Sequence, residues 1–167
     1  MITPEYCRTM AAYNRWQNNG LRDVVAVMTA AELTADRGAF FGSILGTLNH
    51  LLWADTLWIS RFDRGAGTAL TVGDSTTFTQ TPAVWAAERF RMDARIALWA
   101  DRVHAIDLVG NLSWYSGSLQ RQFEKPMAMC VMQLFNHQTH HRGQVHAMMT
   151  AAGYKLGDTD LPFLPES

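Results

Sequence analysis

Four of the six histidines in this 167-residue chain fall within ten positions, His137, His140, His141 and His146. On a helix, four residues advance about 400°, so His137 and His141 lie ~40° apart and about 6 Å apart along the axis. Two imidazoles at that spacing can close on one ion, as the two histidines of a HExxH helix do. Cys130, Leu134, Val145, Met148 and Ala152 project within about 80° of His137, so the pair faces an apolar side. His146 projects to the far side. His140 sits about 60° to the other side of His137, where a place behind the ligands, at the surface or in an interface is open to it. A third ligand must come from another helix, and His50, on the most apolar segment of the chain, is the natural candidate. The competing reading is a set of hydrogen-bonded core histidines; burying them without a partner costs some kcal/mol or forces them neutral.

Three neutral imidazoles suit zinc, nickel, iron or copper rather than magnesium or calcium. Three protein ligands leave a position for water or substrate, which is the layout of a catalytic site. Gln144, close to the same side, could orient a ligand or water, or make an ordinary hydrogen bond between helices. Arg142 projects some 100° from His141, which suggests a solvated or interface position. Gly143 inside a helix suggests a close helix approach. Asp55 is turned ~140° from His50, and Cys130 lies about 10 Å along the axis from His137, so neither can share the ion.

Other chemistries find no support. The chain has no GxSxG, Walker A or GxGxxG pattern, and its carboxylates lack EF-hand spacing. Fourteen Lys and Arg against 15 Asp and Glu give a net charge of −1 with no basic cluster, which argues against nucleic acid. Two cysteines make no disulfide framework, and no leader or membrane span is evident, so the expectation is a reduced, cytoplasmic protein. Apolar residues make up 48% and charged residues only 17%, with six Trp and nine Met. That balance leaves apolar surface for a second subunit.

Four helices must position the histidines. Thr3-Pro4 starts the first, which runs to about Met28, and Thr29 to Glu32 has capping-box form. Ser43 caps the second, whose stripe Ile44, Leu48, Leu51, Leu52, Ile59 and Phe62 leaves only a narrow polar sector around Asn49 and Ser60. Gly65-Ala66-Gly67 ends it, and Thr68–Gln80 reads as a long loop. Thr81-Pro82 starts the third helix, which runs to about Val103. Asn111–Tyr115 and Leu119–Phe123 flank Ser116-Gly117-Ser118 as a small β-hairpin with glycine in the turn. Trp114 and Tyr115 there could line a ligand mouth or pack as aromatics. Pro126 opens the fourth helix, Gly153 stops it, and an extended tail follows. The expected architecture is all-α, a four-helix bundle with a hairpin between helices 3 and 4, in one domain over residues 1–167.

Gly46-Thr47-Leu48-Asn49-His50-Leu51-Leu52, followed by Trp58 and Arg61, is similar to the second-helix signature of the DinB family. Asn136-His137-Gln138-Thr139-His140-His141-Arg142-Gly143-Gln144 resembles its fourth-helix signature. This is the damage-inducible DinB-like family, not the DNA polymerase that shares the name. The resemblance implies an up-down-down-up bundle, a divalent metal on His50, His137 and His141, and a homodimer. It also implies kinship with transferases and isomerases that use bacillithiol, mycothiol or glutathione. The leading expectation is a metal-dependent thiol S-transferase acting on a small molecule. A metal-dependent hydrolase is second, weakened by the absence of an acidic base beside the histidines. A non-catalytic, metal-binding stress-response dimer is third.

Overall fold

Each long helix but the last starts where the sequence places a capping hydroxyl. The structure, a computed structural model, describes residues 2–166. Helix α1 (Pro4–Val27) is capped by Thr3, whose Oγ1 accepts from the Tyr6 N–H, with Pro4 in the first turn. A short helix α2 (Ala30–Thr34) follows, opened by reciprocal Thr29 and Glu32 bonds. Ser43 caps α3 (Ile44–Asp63), and Thr81 caps α4 (Pro82–Arg102). Strands β1 (Asn111–Ser116) and β2 (Arg121–Pro126) pair antiparallel with Trp114 opposite Phe123. Helix α5 (Met127–Ala151) ends at Gly153, whose φ of +90° closes the helix with a left-handed residue.

Contacts between the long helices give the topology. Leu48, Asp55 and Asp63 of α3 meet Trp85, Arg89 and Arg95 of α4 in the same order, so these neighbours run parallel. His50 and Asp55 of α3 meet His137 and Gln138 of α5, while Trp58 and Arg61 lie against Trp114 of the hairpin that feeds α5; α3 and α5 therefore run antiparallel. Tyr6 and Asn14 of α1 meet Phe135 and Arg142 of α5, again in parallel. The result is the expected up-down-down-up four-helix bundle with its hairpin. Two parallel neighbours cannot be joined by a short turn, so residues 64–81 return the chain along the length of α3. The core fills with Leu48, Leu52, Ile59, Trp85, Leu134 and Phe135, all at most 1% exposed; each such side chain contributes about 1.5–3 kcal/mol of burial.

Three local expectations are corrected. The stretch expected as a loop, Thr68–Gln80, contains a 3-10 turn over Val72–Thr77. Asp74 explains it, because its carboxylate accepts from both the Thr71 N–H (3.0 Å) and the Thr71 hydroxyl (2.7 Å). In the hairpin the left-handed residue is Gln120 (φ 51°) rather than Gly117, and the second strand begins two residues later than expected. Helix α3 stops at Asp63, before the glycines, with Arg64 left-handed (φ 57°). The tail after Gly153 lies against α1, held by Tyr13 Oη donating to the Thr159 carbonyl (2.6 Å) and Gln17 Nε2 donating to that of Asp158 (2.9 Å).

Candidate metal centre

His50, His137 and His141 converge between α3 and α5. Each offers a ring nitrogen, and these three atoms all lie within 4.8 Å of one another. His50 is 5% and His141 8% exposed, and His137 is half-buried.

Hydrogen bonds on the outer side fix the tautomers of two rings. Ser75 spends its own proton on the Val72 carbonyl (2.7 Å), so its Oγ accepts from His50 Nδ1 at 3.0 Å. Gln144 Oε1 accepts from His141 Nδ1 at 2.7 Å. Both rings therefore turn an unprotonated Nε2 inward, which is how metal-bound histidines are held. His50 Nε2 lies 3.2 Å from His137 Nε2. Nitrogens about 2.0 Å from a tetrahedral zinc ion are about 3.3 Å apart, so this pair is spaced as two ligands of one ion would be. Without one, the same contact is satisfied by His137 donating to His50. The donor set fits a divalent transition metal on geometry, ligand type and tautomer.

Burial is the main cause of the electrostatic character. It pushes the pKa of His50 down to about 4, with the neighbouring His141 adding to the effect. His137 goes down to about 3, by burial first and then by the other histidines. Burial also lowers His141, against an upward pull from its bond to Gln144. Neutral imidazoles at physiological pH are the form that binds metal.

The protein shapes this corner through a few local devices. Asn49 clamps the returning segment: its Nδ2 donates to the carbonyls of Thr76 (3.0 Å) and Thr79 (3.1 Å), and its Oδ1 accepts from the Thr79 N–H and hydroxyl. That clamp seats Ser75 behind His50. The chain before α3 passes so close to Gly46 that a Cβ there would meet the Phe41 carbonyl oxygen at 2.6 Å. This approach lays the Phe41 ring on His50, 3.9 Å between centroids, with Trp53 5.7 Å from the same imidazole.

The remaining sequence candidates fall out as follows. Gln144 contacts the candidate ligand His141 directly. His140 is exposed, its ring 4.7 Å from that of His141, at the edge of the site. His146 lies elsewhere on α5, beside Thr150. Cys130 is buried, and burial pushes its thiol up, so it packs as a core residue. Trp114 packs against Trp58, Phe123 and Arg61, whereas Tyr115 is exposed.

Arg142 corrects the expectation of a solvated or interface position. It is only 6% exposed and donates to Asn14 Oδ1 and, at 3.1 Å, to Gln138 Oε1. It is part of a buried polar network that the sequence reading missed. Asp55 accepts from Arg89 (2.7 Å) and Gln138, Arg89 also pairs with Asp93 (2.9 Å), and Asp93 accepts from Asn18 (2.9 Å). Burial pulls the Asp55 carboxyl up from its ordinary value while Arg89 beside it pulls the other way. Gln138 directly follows His137 and Asp55 lies about 1.4 turns from His50, so sliding α5 along α3 would strand both. The network thereby fixes the register that brings His50 to His137 and His141. Gly143 is corrected too: a Cβ built on it meets nothing within 4 Å, so no helix packs against it.

The sequence profile of the DinB family matches residues 1–167. The chain belongs to the DinB family. Among curated proteins, none matches it. A DinB-like protein from Bacillus cereus superposes with a TM-score of 0.71 at 18% identity, covering 93% of this chain and 97% of the other. YfiT from Bacillus subtilis, a probable metal-dependent hydrolase with an unusual four-helix bundle topology, gives 0.67 at 16%, covering 93% and 92%. At these identities the likeness is one of fold, and it extends over nearly the whole length of all three chains. Among the described residues, no helix is long and apolar enough to cross a membrane.

Proposed function

We propose that His50, His137 and His141 hold one divalent transition ion, zinc, nickel or iron, and that the protein is a metal-dependent enzyme transferring a low-molecular-weight thiol to a small electrophile. The observation that carries the reading is the convergence of three imidazole nitrogens, two of them with the tautomer fixed by Ser75 and Gln144. When bound, the ion supplies Lewis acidity that makes a coordinated thiol easier to deprotonate at neutral pH. The chain's own residues do the rest. Ser75 and Gln144 keep the rings oriented. Phe41 and Trp53 form an apolar wall beside His50 that limits water on that side. His140, exposed beside His141, stands at the edge of the site.

Among the described residues no carboxylate joins the three histidines, so no acidic general base stands beside them to assist attack by water, and this favours thiol chemistry. One observation favours the second reading, a metal-dependent hydrolase: YfiT, with the same fold, carries that description. The proposal includes a homodimer, for which Met129 and Met132 leave apolar surface on α5 (53% and 39% exposed), and a cytoplasmic place in a stress response. Metal-loaded protein is to be assayed with glutathione, bacillithiol and mycothiol against 1-chloro-2,4-dinitrobenzene, and separately for hydrolysis of p-nitrophenyl acetate. Metal-dependent conjugation with one thiol, lost in His137→Ala, is the expected result. Hydrolysis alone moves the assignment to the second reading, and neither activity with the metal in place leaves a non-catalytic metal-binding protein.

A further inference from the structure

On the face of α5 turned away from the triad lies a cavity of about 400 Å³, walled by α1, α5 and the tail after Gly153. Thr139, Arg142, Gly143 and His146 line it, and they sit roughly opposite His137 and His141 around the helix axis. Its size is that of a small-molecule site.

Two helical glycines, Gly20 in α1 and Gly143 in α5, line this cavity. A glycine inside a helix is less favourable than alanine, and something must justify it. Neither has a left-handed φ. A Cβ on either would meet nothing within 4 Å, so neither accommodates a close helix contact. Their common effect is to keep the cavity wide.

Arg142 is a second and independent observation. Its guanidinium is buried, lies over the Tyr13 ring at 5.3 Å, and donates through Nη1 to Asn14 and Gln138. Nη2 has only a 3.5 Å contact with the Thr139 hydroxyl. The ion pairs among the described residues do not include Arg142; the two buried carboxylates of the network, Asp55 and Asp93, are both taken by Arg89. A buried cation without a direct anionic partner is costly, and this one faces a cavity. The tail closes over it through one hydrogen bond each from Tyr13 Oη and Gln17 Nε2 to tail carbonyls. Among the polar side chains lining the cavity, Arg142 is the buried cation and His146 is half-buried, beside the apolar walls of Trp16, Leu21 and Leu156. Asp158 stands exposed at the rim and repels an anion there, so the negative end of a ligand is directed inward.

We propose that this cavity is a second ligand site, separate from the histidine triad, for a small organic carboxylate with a flat apolar body. The carboxylate accepts from Arg142 Nη2, and the body lies against Trp16, Leu21 and Leu156. The probes are 2-naphthoate and its neutral counterpart 2-naphthamide, titrated calorimetrically into the purified full chain. The wild type is expected to bind the carboxylate at least about tenfold more tightly than the amide, since hydrogen bonds to a charged partner discriminate by that much or more. Gly20→Leu fills the cavity far from the triad and should abolish binding while metal content is unchanged. Arg142→Gln should bring the two affinities together. If that variant fails to fold by circular dichroism, the Gly20→Leu result decides alone. Absence of saturable 2-naphthoate binding, equal affinity for both probes in the wild type, or 2-naphthoate binding that survives Gly20→Leu, as it would for a carboxylate taken up at the triad, each overturns the proposal.

Discussion

Replacing Ser75 by alanine removes a single oxygen that touches no metal-facing atom. In the folded protein that oxygen accepts from His50 Nδ1 at 3.0 Å, and both residues are buried, at 0% and 5% exposure. Two consequences follow. The Nδ1–H loses its acceptor inside the protein, which costs about 1–3 kcal/mol of fold stability. The imidazole also loses the restraint that aims its Nε2 inward, and partners of this kind are worth roughly 10- to 100-fold in metal affinity, or about 1.4–2.7 kcal/mol. The assay is competition for zinc against a chromophoric chelator at neutral pH, with urea unfolding of the metal-free protein alongside. Thr77→Ala is the control: its hydroxyl, on the same turn, bonds only the Asp74 carbonyl at 3.2 Å, and its affinity should stay within about twofold of wild type. A folded Ser75→Ala protein with zinc affinity equally unchanged would refute the role assigned to Ser75 and weaken the geometric case for His50 as a ligand.

Asp55→Ala leaves Arg89 charged and half-paired in the core, and a loss of about 3–5 kcal/mol is expected by urea unfolding; a loss under about 1 kcal/mol contradicts the network's role. In metal-free protein, His50 and His137 stay neutral until about pH 4 and about pH 3, whereas unfolded histidines protonate near pH ~6.5. The unfolded state therefore binds more protons below that pH, and stability falls as pH drops from about 6.5 towards 4. The urea midpoint should decrease between pH 7 and 5, with a shallower slope in a His50→Gln/His137→Gln variant; identical slopes would count against burial of these rings. Gly153→Ala places a Cβ at φ +90° and should lower the melting temperature by about 2–4 °C, roughly 1 kcal/mol for a chain of this size; an unchanged value would mean that the helix end adjusts freely.

What could be read from the sequence was what is decided locally. Thr3-Pro4, Ser43, Thr81-Pro82 and Gly153 carry their capping chemistry within a few residues, and the helix ends fell close to where those residues placed them. The spacing of His137 and His141 is likewise a property of one helix. Bringing His50 to them depends on the register of α3 against α5, which wheel geometry does not contain; the apolar run around His50 made it a candidate, and the family resemblance made that candidate a firm expectation. Arg142 was misjudged because an angle from His141 says nothing of what stands opposite, and its partners Asn14 and Gln138 come from two different helices. Ser75 lay hidden in a threonine-rich stretch, and its place depends on Asn49 holding residues 27 and 30 positions away. Gln120 took the left-handed turn position from Gly117 because strand register, not residue preference alone, set where the turn fell.

The central claim is that His50, His137 and His141 together hold one metal ion. Elemental analysis of protein purified without chelators, beside a His137→Ala variant shown to be folded, tests it most directly. The account predicts close to one equivalent of zinc, nickel or iron per chain in the wild type and far less in the variant. A wild type that carries no stoichiometric metal and takes none up when it is supplied, or a folded variant that retains a full equivalent, would contradict it.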